Sequence, residues 1–157
     1  MELKFVDGAQ HVFLNGEDVS EAIRTPEASM GASNVSAIPK VREFLFDLQR
    51  KIAAENDCIM DGRDIGTVVL PNADVKIFLT TSVEERANRR YKEMLEKGEE
   101  ADYNDILEDI KKRDYQDSHR EIAPLKQADD AIYVDNGGYN LEDGAEDLLR
   151  IIKEHLK

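Results

Sequence analysis

The stretch Asp61-Gly62-Arg63-Asp64-Ile65-Gly66-Thr67-Val68-Val69 constrains this chain more than any other. The short apolar run Cys58-Ile59-Met60 before it, and the glycines at 62 and 66, predict a buried strand ending in a carboxylate and a tight turn. A carboxylate at a strand's carboxyl end, with an arginine two residues on, sets a magnesium-directed acid beside a phosphate-directed base in α/β proteins. None of the nine glycines is followed by lysine, however. The G-x-x-x-x-G-K-[ST] loop that cradles triphosphates is therefore not among these 157 residues.

Periodicity supplies the remaining elements. Residues 2–6 and 11–14 are β-prone and separated by Asp7-Gly8-Ala9-Gln10, a hairpin signal; Asn15-Gly16 marks a second turn, and Asp18-Val19-Ser20 a third short strand. Thr25-Pro26 starts a helix, with Glu27 suited to its first turn, and 28–37 is a small-residue segment suited to a short helix beside a ligand. Pro39 opens a stronger helix with Val41, Phe44, Leu45, Leu48 and Ile52 at helical spacing. Residues 57–60 and 75–79 are expected strands. Thr81 or Ser82 caps the next helix, and Gly98 ends it. Helices over 103–120 and 141–156 flank a last strand at 132–134 and a turn at Asn136-Gly137-Gly138. Alternating strands and helices predict an α/β fold with a parallel sheet flanked by helices, preceded by a small antiparallel β-ribbon.

Composition narrows the function classes. At 157 residues the chain is one domain by size. Its net charge of −13 argues against binding nucleic acid or anionic membrane surfaces. No apolar run is long enough to span a membrane, and the first residues have no signal-peptide pattern. One cysteine, Cys58, forms no internal disulfide and fits the reducing cytoplasm; it is expected to pack as a small apolar residue in its strand.

The arginines are the sharper signal. Arg113, Asp117 and Arg120 lie at i, i+4 and i+7 and share a helix face. Two guanidinium groups flanking a carboxylate suit a phosphate grip; an intrahelical ion-pair ladder explains the same spacing. Arg86, Arg89 and Arg90 crowd like charges onto another helix, which calls for an anion nearby, either a ligand or a side chain such as Glu85. The three histidines have no metal-ligand spacing.

These segments together resemble the bacterial cytidylate kinase family, which phosphorylates CMP and dCMP with ATP. The likeness is carried by Leu14-Asn15-Gly16-Glu17-Asp18-Val19-Ser20, Ile23-Arg24-Thr25-Pro26-Glu27, Ala32-Ser33, Pro39 to Glu43, Asp61 to Pro71 (DGRDIGTVVLP), Val75 to Leu79, Ser82 to Tyr91, Arg113-Asp114, Asp117, Arg120, Pro124-Leu125 and Ala128 to Asp135. It implies a single domain over 1–157, with 2–55 a remnant of the CMP-binding subdomain and 56–157 a core whose flap spans about 89–120. It implies that Ser33 and Arg42 surround the cytosine, and that Asp64 holds the ribose hydroxyls with Asp117 as a second sugar contact. Arg63, Arg113 and Arg120 resemble the family's phosphate-directed arginines, and Arg89 and Arg90 those aimed at the triphosphate. Asp61 takes the position near magnesium.

The likeness covers the C-terminal part of the family pattern, roughly two-thirds of it, without the strand, loop and helix that hold ATP. The expectation is accordingly an N-terminally truncated P-loop kinase fold lacking its central strand, and impaired or inactive as it stands. The unpaired backbone rows left by that strand predict low stability or self-association. Asp135-Asn136-Gly137-Gly138 also departs from the hydroxyl residues usual in the family near the adenine. The alternative is a non-catalytic nucleotide-binding or interaction protein derived from the same fold.

Overall fold

The computed structural model describes residues 2–36 and 38–156, with the side chains of Pro26 and Ser33 outside the description. The chain forms two compact units, Met1–Ile52 and Ala53–Lys157.

The first unit opens with an antiparallel ribbon of β1 (Glu2–Val6), β2 (Ala9–Leu14) and β3 (Glu17–Asp18), in that spatial order. Both turns are two residues long, at Asp7-Gly8 and Asn15-Gly16, and all four residues have positive φ. That is the primed turn geometry whose twist matches the flanking strands. A single 3₁₀ turn, Ala22–Arg24, leads into α1 (Pro26–Ser36) and α2 (Pro39–Glu55). The apolar stripe of α2 forms at the expected spacing, yet Phe44 is 70% exposed and Leu45, Leu48 and Ile52 are each exposed. Periodicity creates the stripe; burying it requires a second surface.

The one buried polar residue of the ribbon ties its end together. Ser20 is 7% exposed, its Oγ donates to Asp18 Oδ1 at 2.5 Å, and it accepts from the Val12 backbone N–H at 2.9 Å. Asp18 is held down at about pKa 2, first by the Ser20 hydroxyl, then by the Ser20 backbone N–H and by His11. Its folded pKa lies below its ordinary value, so this contribution is complete above about pH 4 and is lost as pH falls toward 2. Amide signals of Val12 and Ser20, followed by NMR down to pH 2, are expected to lose protection in that window, and Asp18→Asn to abolish the pH dependence. A ribbon equally protected at pH 5 and pH 2 contradicts this linkage.

The second unit contains the parallel pair β4 (Ile77–Thr80) and β5 (Ile132–Asp135), in register from Ile77↔Ile132 to Thr80↔Asp135. Between them run α3 (Val83–Glu96) and α4 (Tyr103–His119), which lie against each other, with Tyr91 and Tyr103 meeting edge to face at 6.2 Å. Helix α5 (Leu141–His155) follows β5. The Ser82 hydroxyl caps α3, as sequence predicts, by accepting from the Glu85 N–H at 3.1 Å; Asn140 caps α5 in the same way through the Asp143 N–H at 2.8 Å. Buried apolar residues among those described are Val69, Ala87, Val134 and Ile151, all in this unit.

One expected element is absent. Residues 57–60 carry no strand, Cys58 is exposed, and Ile59 is 92% exposed. Cys58 therefore does not pack as a core residue. An apolar run becomes a strand only when a neighbour completes its ladder. Among the described residues β4 and β5 pair only with each other. No helix among the described residues is long and apolar enough to cross a membrane.

Candidate functional site

The segment after residue 60 does not make the simple tight turn its glycines suggest. Residues Ile65–Val69 form a single π-helical turn. The Val69 N–H reaches the Asp64 carbonyl at 3.2 Å and the Leu70 N–H the Ile65 carbonyl at 2.7 Å, both five residues back. Such turns are rare and concentrate at functional sites. Asp64 sits at the amino end of this turn, with its side chain only 12% exposed. Gly62 allows a close approach: a Cβ there meets Ile65 Cγ1 at 2.8 Å, so a larger residue forces the Ile65 side chain to shift.

Opposite this turn stands the end of α4. Arg63 Nε donates to Asp117 Oδ2 at 2.8 Å, and Arg120 lies 3.5 Å from Asp64 Oδ1. The two segments thus exchange an arginine for a carboxylate in both directions. Arg113 and Asp117 are on α4, but Arg120 is the residue that ends it, with extended backbone at φ −63° and ψ 143°. The predicted shared face therefore holds for two of the three. The intrahelical ladder is also displaced, because Asp117 binds Arg63 across a separation of 54 residues.

Arg86 and Asp114 complete the cluster. They form a two-pronged pair between α3 and α4 at 2.9 and 2.6 Å. The Arg86 guanidinium holds the Asp114 carboxyl below its ordinary range; burial opposes this, and Arg63 and Arg113 reinforce it by charge. Asp114 in turn raises Arg86. Three guanidinium groups (Arg63, Arg86, Arg120) thus stand against three carboxylates (Asp117, Asp114, Asp64), while Arg113 is exposed and reaches Asp114 by charge alone. The Arg120 terminal nitrogen nearest Asp64 is buried and makes no hydrogen bond, since the 3.5 Å approach brings the charges close without alignment. A buried, unbonded guanidinium N–H is a costly group unless something else accepts from it.

The other expected site residues fall elsewhere. Arg89 donates to the Asn136 carbonyl at 2.8 Å and to Glu85 at 3.3 Å, while Arg90 pairs with Glu93 at 3.0 Å. Their crowding is thus relieved by neighbouring acceptors, of which sequence had singled out Glu85. Asp61 is exposed. Arg42, in the first unit, donates to the Ser36 carbonyl at 3.3 Å. The Ser33 side chain lies outside the described residues. The sequence reading gave Asp114 no role, and its only signal was its place beside Arg113. Lys76, within the strand expected over 75–79, lies just before β4, and its ammonium bridges the Pro71 carbonyl at 2.5 Å and Asp130 at 2.6 Å with the side chain 8% exposed.

The family described as cytidylate kinase matches residues 1–154. The chain belongs to the cytidylate kinase family. A cytidylate kinase of Carboxydothermus hydrogenoformans is 50% identical over 153 residues, spanning 96% of this chain and 69% of that protein. One from Caldicellulosiruptor bescii is 51% identical over 157 residues, which is 100% of this chain and 70% of the relative. A Streptococcus pyogenes cytidylate kinase is 55% identical over 139 residues, 88% of this chain and 62% of its own length. The parallel β4–β5 pair flanked by helices and the N-terminal ribbon fit the P-loop kinase fold of this family.

Proposed function

We propose that this chain serves the transfer of the γ-phosphoryl group of ATP to CMP or dCMP, giving CDP or dCDP. The observation that carries the reading is the crossed Arg63–Asp117 and Arg120–Asp64 arrangement, with one guanidinium nitrogen buried and unbonded. In the reaction an oxygen of the CMP phosphate bonds to the γ-phosphorus as the bond to the ADP oxygen breaks. Such transfer depends on positioning and charge neutralisation rather than on covalent chemistry by the protein. Arg63, Arg113 and Arg120 grip the phosphate and offset its growing negative charge. Asp64 and Asp117 hold the sugar hydroxyls, and both carboxylates already lie beside the arginines that take the phosphate. Ser33 and Arg42 are assigned to the cytosine, Arg89 and Arg90 to the triphosphate.

Magnesium enters with the nucleotide. A single exposed carboxylate, Asp61, fits an ion that takes one or two carboxylates and completes its shell with phosphate oxygens and water. Bound there, it would neutralise charge on the phosphates. The reading places the chain in the cytoplasm, with its single exposed Cys58 in keeping with a reducing compartment.

The test separates binding from turnover. Calorimetric titration of the 157-residue chain is expected to give saturable CMP binding that cytidine does not match, because the arginines address the phosphate. Cytidine binding as tightly as CMP, or neither binding at millimolar concentration, overturns the reading. A coupled ADP-release assay on the same preparation is expected to stay near background, since no glycine here is followed by the lysine of the phosphate loop. The exposed Ile59, Leu79 and Tyr133 in the sheet-bearing unit support a further assignment, self-association of the isolated chain. Sedimentation at rising concentration is expected to show species heavier than 17.8 kDa. A constant monomer mass removes that assignment.

A further inference from the structure

We propose that Ala123 is a positioning residue for Arg120, holding its guanidinium through a strained backbone carbonyl; the proposal rests on the phosphate-binding reading given above. Ala123 has φ +50°; among the described residues it is one of three non-glycine residues with positive φ, and the only one of them outside the ribbon turns. An L-residue disfavours that region on steric grounds. Pro124 follows immediately, and a residue before proline is pushed toward extended backbone. Ala123 thus departs from two local preferences at once. Strain of this kind persists only where the surroundings over-determine it, and it gathers at functional sites.

What the strain secures is visible in the bonds around it. With the backbone left-handed, the Ala123 carbonyl accepts from Arg120 Nε at 2.6 Å. The same fold-back lets the Leu125 N–H reach the Asp117 carbonyl at 2.7 Å, while the Arg120 N–H closes the last turn of α4 on Gln116 at 3.0 Å. With Nε taken, the planar guanidinium has one orientation left. Its terminal nitrogen stands 3.5 Å from Asp64 and remains without a hydrogen bond. The side chain is pre-aimed, so phosphate binding need not order it.

The clamp is read directly in the Arg Nε–Hε resonances of the ¹⁵N-labelled chain, together with calorimetric CMP titration. Arg120 Hε is expected to exchange with water more slowly than Hε of the exposed Arg113. Ala123→Val, whose branched Cβ resists positive φ, is expected to erase that protection and weaken CMP binding about tenfold. Ala123→Gly accepts the same backbone and retains both properties. In an Arg120→Met background Ala123→Val is expected to cost nothing further, because its effect passes through Arg120. Equal Hε exchange for the two arginines in the unsubstituted chain overturns the proposal, and needs no variant to fold. So does unchanged CMP affinity in Ala123→Val, or an equal loss in the Arg120→Met background. An unsubstituted chain that binds no CMP sinks the functional reading instead, and the Hε exchange still decides the clamp.

Discussion

Arg120→Met is expected to weaken CMP binding by about two orders of magnitude while leaving the affinity for cytidine nearly unchanged. The side chain is 22% exposed, and its terminal nitrogen near Asp64 makes no hydrogen bond. A charged hydrogen bond is worth about 1.5–3 kcal/mol, and a phosphate can accept two from one guanidinium. Losing that grip amounts to roughly 3 kcal/mol, or about a hundredfold in affinity. The fold should tolerate the change. Methionine gives up the bond to the Ala123 carbonyl but also removes a buried donor that the unliganded protein leaves unsatisfied. These effects oppose each other, so the melting temperature is expected to move by only a few degrees. Calorimetry with both ligands and a thermal melt decide it. Equal losses for CMP and cytidine mean that Arg120 shapes the pocket and does not address the phosphate.

Lys76→Met is the largest stability effect expected. Lys76 has a buried stem and a bridging head. Its ammonium joins the Pro71 carbonyl, just past the π-helical turn, to Asp130, two residues before β5. Its own position immediately precedes β4. One side chain thus ties the site-bearing turn to the entry of both parallel strands. Its Cδ also passes under the turn, where a Cβ on Gly66 would stand 3.4 Å away. Methionine keeps most of that packing and discards the ammonium. Loss of a charged donor to the Pro71 carbonyl costs about 2 kcal/mol. For a chain of this size that lowers the melting temperature by roughly 5 °C. A second readout is independent of unfolding. The Lys76 ammonium holds the Asp130 carboxyl below its ordinary range, chiefly by hydrogen bonding. In Lys76→Met the Asp130 carboxyl, followed by NMR against pH, is expected to return upward. An unmoved Asp130 titration and an unchanged melt together contradict the bridging role.

Sequence and structure part company at identifiable places. Local rules carried the helix boundaries, because their causes lie within a few residues: Pro39 at the start of α2, Ser82 capping α3, Gly98 just past its end. The primed turns at Asp7-Gly8 and Asn15-Gly16 were equally local, requiring only residues that accept positive φ. The DGRDIGTVVLP segment and the other matching segments were enough for the family.

Partner choice was decided elsewhere. Spacing placed Asp117 within reach of Arg113 and Arg120, yet its hydrogen-bonded partner is Arg63. Arg86 belongs to Asp114 across the α3–α4 contact. Several carboxylates lie at comparable sequence distances from each arginine, and only the docking of helices and turns selects among them. The fate of residues 57–60 was likewise non-local, since β propensity is realised only against a partner. The π-helical turn at Ile65–Val69 contradicts local preference, and the residues before it, Arg63 and Asp64, meet Asp117 and Arg120 from a distant segment; the left-handed Ala123 contradicts it too, with its carbonyl bound by Arg120. The chain's own letters thus determined which chemistry is present and where its elements begin and end. Tertiary packing alone decided which charges meet, because a backbone conformation or ion pair sustained by remote neighbours leaves no periodic trace in the sequence.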